Sequence, residues 1–179
     1  VPIRIEPLGL HDRAAFSCGN DVIDRFLRET AGQRQERKIA KTFVAVDPDG
    51  DPQRILGYYT VVPHEFRGAE LPDRLRKGTR VGNLYALPGV LLAQLGVSRE
   101  AQGRGIAKML IHHALMRAVT LAYEWGCVAI VTDPVDERAR DLYANFDFTS
   151  LDDGTNRMVL ATRTLIAALA LPSESSREQ

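Results

Sequence analysis

Cysteine is nearly absent from this 179-residue chain: Cys18 and Cys127 are its only two, far apart, and neither belongs to a CxxC or Cys/His cluster. That argues against a disulfide framework and a zinc site, and the pair reads as free thiols of a reducing compartment. Long apolar runs are missing too. None approaches the ~18 residues that a membrane span requires. The chain opens on Val1 without an initiator methionine, and the expectation from its first residues is that no charged-then-apolar leader opens it. The expectation is a cytoplasmic protein that meets no membrane. Net charge is also lacking, with 23 basic residues against 23 acidic ones. Repeats are absent, and the one low-complexity stretch is the polar tail Leu171–Gln179, expected to be disordered.

What is present is an ordinary soluble composition, 45% hydrophobic and 26% charged, of a size for one domain over residues 1–170. Such a chain buries roughly two-thirds of its unfolded surface, so its stability requires no metal. The neutral total hides an uneven spread. Arg34, Arg37, Lys38 and Lys41 stand against Glu36, and Arg67, Arg74, Arg76, Lys77 and Arg80 against Glu70 and Asp73. Residues 132–153 are acidic. Two basic segments on a neutral body form either a phosphate footprint or solvated faces, and charge alone leaves both open.

Ile3–Ile5 alternates as an edge strand does, and Asn20 is a helix cap for Val22, Ile23, Phe26 and Leu27, a helix expected to reach Arg37. Thr42–Val46 and Ile55–Val62 flank the turn-rich Asp47–Arg54 and predict a hairpin. Residues 63–83 mix Pro, Gly and charge and predict a loop with a short helix. Leu91–Val97 predicts a strand in mid-sheet. A long helix from about Gly105 to Glu124 is expected to stop at Gly126. Val128–Thr132 is a strand and Asp136–Asn145 a helix, followed by strands near 146–151 and 157–161 and a helix over 162–170. The order is mixed α/β around one sheet.

Gln102-Gly103-Arg104-Gly105-Ile106-Ala107 lies between an apolar strand and the long helix. Its glycines let the backbone approach a ligand, and the helix start offers free N–H groups to a phosphate. The spacing is neither a Walker loop nor GxGxxG, and alone it is equally a tight connection. The pattern Q/R-x-x-G-x-G/A after an apolar strand resembles the coenzyme A loop of the GNAT superfamily of N-acetyltransferases. Gln102, Gly105 and Ala107 fill its fixed positions, with Gly103, Arg104 and Ile106 between them. The family's second pattern also has its counterpart in Ala139-x-x-Leu142-Tyr143 followed by Asn145-Phe146-Asp147-Phe148, with Asp147 where relatives carry Gly. The resemblance implies a twisted, mostly antiparallel sheet splayed at a bulged strand, with helices on both faces. It implies acetyl-CoA as co-substrate, with no metal, and Leu95, Gly96 and Val97 binding the pantetheine arm and thioester. Gly96 suits the bulge. An N–H aimed at the carbonyl would stabilise its developing oxyanion.

In the reaction so implied, Tyr143 is the general acid that protonates the leaving thiolate. The strand 91–97 carries no carboxylate, and its only polar side chain is Gln94. With no base there, the acceptor reads as an α-amine, already partly neutral at pH 7, rather than a lysine. Water, His64 or Glu65 remain alternative bases, and His112 and His113 read as structural. The N-terminal half narrows the branch. Phe16-Ser17-Cys18-Gly19-Asn20, Gly57-Tyr58-Tyr59-Thr60, Leu71-Pro72-x-Arg74-Leu75 and Pro88-x-x-Leu91-Leu92 resemble the acetyltransferase toxins of bacterial type II toxin–antitoxin pairs. That branch implies acetylation of the α-amine of aminoacyl-tRNA, a block on translation, a ribbon-helix-helix antitoxin and a homodimer. Arg34, Arg37, Lys38, Lys41, Arg74, Arg76 and Lys77 then become candidates for the tRNA backbone. The alternatives are acetylation of a protein or small-molecule amine, and a non-catalytic coenzyme A-binding partner of a DNA-binding antitoxin.

Overall fold

The computed structural model describes residues 2–67, 70–78, 86–151 and 154–170. Arg80 and the tail from residue 171 lie outside them. The described elements are β1 (Arg4–Pro7), α1 (Asp21–Arg25), α2 (Ala31–Glu36), β2 (Lys41–Val46), β3 (Gly57–Phe66), α3 (Asp73–Lys77), β4 (Leu87–Val97), α4 (Ile106–Glu124), β5 (Ala129–Thr132), α5 (Glu137–Ala144), β6 (Thr149–Ser150), β7 (Met158–Ala161) and α6 (Thr162–Ala170). The strands form one sheet in the order β1-β2-β3-β4-β5-β7-β6, antiparallel throughout except for the parallel β4–β5 pair.

β2 shows how the layers form. Its residues from Thr42 to Val46 are buried, and they alternate between two cores, as the period of two requires. Phe43 and Ala45 pack with Tyr59 under Leu110, Ile111, Ala114 and Leu115 of α4. Val44 and Val46 pack with Tyr58 against Ile23 and Leu27 and against Ala31 of α2. A third cluster on the α1 side joins Leu71, beside α3, to Phe66, Val131 and Val159. Helices on both faces are therefore the observed arrangement.

The helical start is capped as expected: the Asn20 side chain accepts from the N–H groups of Val22 and Ile23. The span to Glu36 is not uniform, however. Phe26–Thr30 forms a π turn between α1 and α2, a wider turn that no Gly or Pro announces. Residues 63–66, expected in a loop, instead continue β3. β2 ends its pairing at Val61, so Pro63, bonded only towards β4, has no second ladder to break. β4 likewise starts at Leu87 instead of Leu91, through the breaker pair Pro88–Gly89. A Cβ on Gly89 would lie 2.3 Å from the Phe66 ring and 2.8 Å from the Ala129 carbonyl, so the glycine is there for close packing. Gly126 ends α4 at φ 89°, its N–H donating to Leu121 O at 3.0 Å.

Candidate active site

β4 and β5 are paired only from Gly89–Leu92 to Ala129–Thr132. Beyond Leu92, β4 stays with β3 and leaves β5, which opens a cleft between the two parallel strands. Ile23, Leu95, Thr132, Asp133, Leu142 and Tyr143 are among its lining residues. The register slips where Thr60 faces Gln94 while Val61 faces Leu92, so the extra residue of the bulge is Ala93. This corrects the expectation of a bulge at Gly96. Gly96 is buried under α1, where a Cβ would meet Ile23 Cγ2 at 2.8 Å, Tyr58 Cε1 at 3.3 Å and Phe16 Cζ at 3.4 Å. Gly96→Ala is expected to destabilise the fold by about 1–3 kcal/mol through overpacking, read as a lower Tm. An unchanged Tm would show that this corner yields.

Ser98 N–H donates to Leu56 O at 2.9 Å. Antiparallel alternation then turns the N–H and C=O groups of Val97 and Leu95 away from β3, towards the cleft side. Val97 O indeed accepts from Gln102 Nε2 at 3.1 Å, and the same amide nitrogen donates to Cys18 O at 3.0 Å. The Gln102 side chain is thus a staple that ties the loop to the end of β4 and to the Ser17–Asn20 turn.

Gly103 and Gly105 adopt φ 78° and 80°, and nothing lies within 4 Å of a Cβ built on either. Gly105 caps α4 without any side chain in the capping position. The outcome is an open cradle at a helix N-terminus, whose first-turn N–H groups have no helical acceptor. Ile106, 1% exposed, anchors the cradle in the core; Ala107 is half-buried and Arg104 exposed. These residues fit the pyrophosphate of a coenzyme A donor. Among the described residues, no group of His, Cys, Asp and Glu is arranged to hold a metal ion, and no helix is long and apolar enough to cross a membrane.

Tyr143 reaches the cleft from the last turn of α5. Asp136 caps that helix by accepting from Ala139 N–H at 2.7 Å, and Asp147 takes the turn after it at φ 65°, the left-handed geometry that favours glycine. The Tyr143 ring, 6% exposed, packs edge-on against Phe148 at 5.5 Å. Thr132 lines the cleft beside it and donates its own hydroxyl to Leu92 O at 3.2 Å. Burial holds the phenol above its ordinary range, against a smaller pull from Thr132, so Tyr143 is a protonated donor at neutral pH. His113 is occupied elsewhere, its Nδ1 2.7 Å from the Tyr59 hydroxyl under α4, and His112 is exposed.

The basic candidates fall into two groups. Arg34, Arg37, Lys38 and Lys41 are exposed around the corner from α2 to β2. Arg74 and Lys77 are exposed on α3, where Arg74 also donates to Thr149 Oγ1 at 2.7 Å. Arg76 does not belong with them. It is 4% exposed, on the inner side of α3, so a phosphate outside cannot reach its guanidinium. Asp133 is a cleft residue that a search of β4 for carboxylates misses. It follows Thr132, the last residue of the neighbouring strand, and Arg157, which holds it, is 24 residues further on.

A seven-stranded sheet parted beside its central strand, with an open glycine turn at the end of that strand and a buried tyrosine in the gap, is the arrangement expected of an acyltransferase that takes a coenzyme A thioester. Comparison agrees: the acetyltransferase (GNAT) family profile matches residues 20–148. The chain belongs to the GNAT acetyltransferase family, and its acetyl donor is acetyl-CoA. A probable toxin TacT from Sinorhizobium fredii (strain NBRC 101917 / NGR234) is 29% identical over 170 residues, covering 90% of this chain and 92% of that protein. A tRNA-acetylating toxin from Mycobacterium tuberculosis (strain ATCC 25618 / H37Rv) is 31% identical over 137 residues, 76% of this chain and 78% of the relative. Among solved structures, AtaT complexed with acetyl-methionyl-tRNAfMet superposes with a TM-score of 0.83 at 23% identity, over 94% of this chain and 99% of that one. A mutant of AtaT bound to the C-terminus of the antitoxin AtaR and acetyl-CoA gives a TM-score of 0.78 at 21% identity, over 94% and 99%.

Proposed function

We propose that this acetyltransferase acylates the α-amino group of aminoacyl-tRNA, and thereby blocks translation as the toxin of a toxin–antitoxin pair. The observation that supports this most is that the open glycine turn follows the end of β4, while Tyr143 lines the gap where β4 and β5 part. The names of the relatives from M. tuberculosis and S. fredii support the tRNA acceptor and the toxin role. In this reading the protein works in the cytoplasm as a homodimer and is neutralised by a ribbon-helix-helix antitoxin.

The donor supplies a thioester carbonyl and a thiolate leaving group. The N–H groups of Gly103 to Ala107 hold its pyrophosphate, and the cleft-side N–H groups of Leu95 and Val97 bind its arm and polarise its carbonyl. The amine nitrogen forms the new C–N bond as the C–S bond breaks. Tyr143 gives its hydroxyl proton to the departing sulfur and recovers a proton from water, to which the amine loses its own. No strong base is required, because an α-amine of pKa ~7.7–8 is partly neutral at pH 7.

The exposed basic corner grips the tRNA backbone. Reversing Arg34, Arg37 and Lys38 together to Glu is expected to raise the KM for charged tRNA at least about tenfold and to flatten its salt dependence. The acetyl-CoA affinity should stay within twofold. An unchanged KM would return these residues to an ordinary solvated face. For the toxin reading as a whole, cell-free translation should stop only when both protein and acetyl-CoA are present, and should resume when fresh charged tRNA is added after the acetyl-CoA has been removed. Arrest without acetyl-CoA would contradict it.

A further inference from the structure

We propose that Asp133 seats the acceptor amine, its carboxylate accepting a hydrogen bond from the amine N–H while Arg157 fixes its direction. The proposal rests on the acetyl-transfer reading of the cleft and extends it to the second substrate. Successive strand residues project to opposite faces of a sheet. Thr132 points towards α5 and Tyr143, and Asp133, one residue past β5 and bonded to Arg157 just before β7, continues the alternation to the opposite side of the same cleft. β4 and β5 have parted at this level, so the opening passes between a phenol on one side and a carboxylate on the other. Among the described residues lining the cleft, Asp133 alone is charged. An amine arriving from the face away from Tyr143 meets that carboxylate beside the carbonyl it must attack.

The carboxylate is held for this use. Arg157 Nε and Nη2 donate to its two oxygens, each at 2.8 Å. A carboxylate offers about four acceptor sites. The fork occupies one on each oxygen, and the Asp133 side chain remains 52% exposed. An ion pair this open adds little to stability, whereas bidentate geometry fixes direction. His64 senses both charges from further along the sheet, and its Nε2 is buried without a hydrogen-bond partner. Burial, and then the charge of Arg157, lower its pKa against the opposing pull of Glu70, Asp133 and Glu65, so the ring is neutral and does not compete for the carboxylate. Glu65 is itself paired with Arg67, and Glu70 accepts from Arg67 N–H. β4 carries no carboxylate, and the cleft's one charged residue among those described stands just past the end of β5.

The test uses Asp133→Ala and Asp133→Glu in the full chain, with acetyl-CoA as donor. The acceptors are a pool of aminoacylated tRNAs and, separately, a mixture of amino-acid methyl esters. Asp133→Ala is expected to lower kcat/KM for the acceptor about 30-fold, the worth of one hydrogen bond to a charged group. Its acetyl-CoA affinity, and its slow thiol release to water without any amine, should stay within twofold of wild type, which a merely structural loss would not allow. Asp133→Glu should recover part of the acceptor rate. Equal acceptor rates for Asp133→Ala and wild type would overturn the seat, as would parallel losses in donor affinity and hydrolysis. If wild type labels the esters but leaves charged tRNA untouched, the tRNA reading falls while the esters still decide for or against Asp133. If wild type labels neither, the seat falls with the reading.

Discussion

Tyr143→Phe is expected to lower kcat at least about 100-fold, the lower end of what a positioned general acid contributes, while the acetyl-CoA Kd stays within twofold. Phenylalanine keeps the ring on Phe148, and it removes only the proton donor. The Thr132 hydroxyl is left satisfied, because it already donates to Leu92 O. The fold therefore has no reason to move, and the whole loss should fall on the chemical step. The deficit should also persist from pH 7 to 9. Burial keeps the wild-type phenol protonated across that range, so wild type does not lose its acid as the amine gains its lone pair. Turnover measured as thiol release, with donor affinity by calorimetry, decides the matter. A variant with normal kcat would reduce Tyr143 to a packing ring, and one that fails to bind acetyl-CoA would make it part of the donor site.

Gly105→Glu is expected to weaken acetyl-CoA binding at least about 100-fold, or about 2.8 kcal/mol. Two causes act together. A side chain at φ 80° costs about 1–2 kcal/mol, and the carboxylate enters the space that the cradle offers to phosphate oxygens. The protein itself has room for the residue, since no atom lies within 4 Å of its Cβ. Gly105→Ala separates the causes, because it carries the strained dihedral without the charge and should lose far less affinity. If calorimetry finds Gly105→Glu binding the donor normally, the loop does not hold the pyrophosphate.

Features written in local chemistry could be read in advance. Asn20 before an apolar helix, Gly126 after one, and the glycines after β4 each require a particular backbone state, and each adopts it. Tyr143 and Asp147 sit at fixed offsets on one helix and its exit turn, and the resemblance of that spacing to the GNAT pattern singled them out. Other features depend on neighbours that sequence order does not reveal. The bulge falls on Ala93, a residue with no turn chemistry, while Gly96, which has it, serves the packing of Ile23 and Tyr58. Pro63 continues a strand because β2 happens to end beside it. Arg76 and Lys77 look alike in sequence, yet a short helix turns one inward and the other out. Asp133 gained meaning only when β5 and β7 brought Arg157 across to it.

The most direct test of the central claim is transfer from acetyl-CoA labelled in its acetyl group. Purified protein is given aminoacylated tRNAs, uncharged tRNA and a lysine-rich peptide in parallel. The account predicts label on charged tRNA alone, stable after the ester bond is cleaved because it resides on the released amino acid as an N-acetyl group. Label on the peptide, with charged tRNA left bare, would contradict the tRNA acceptor and the role given to the basic corner at Arg34, Arg37 and Lys38.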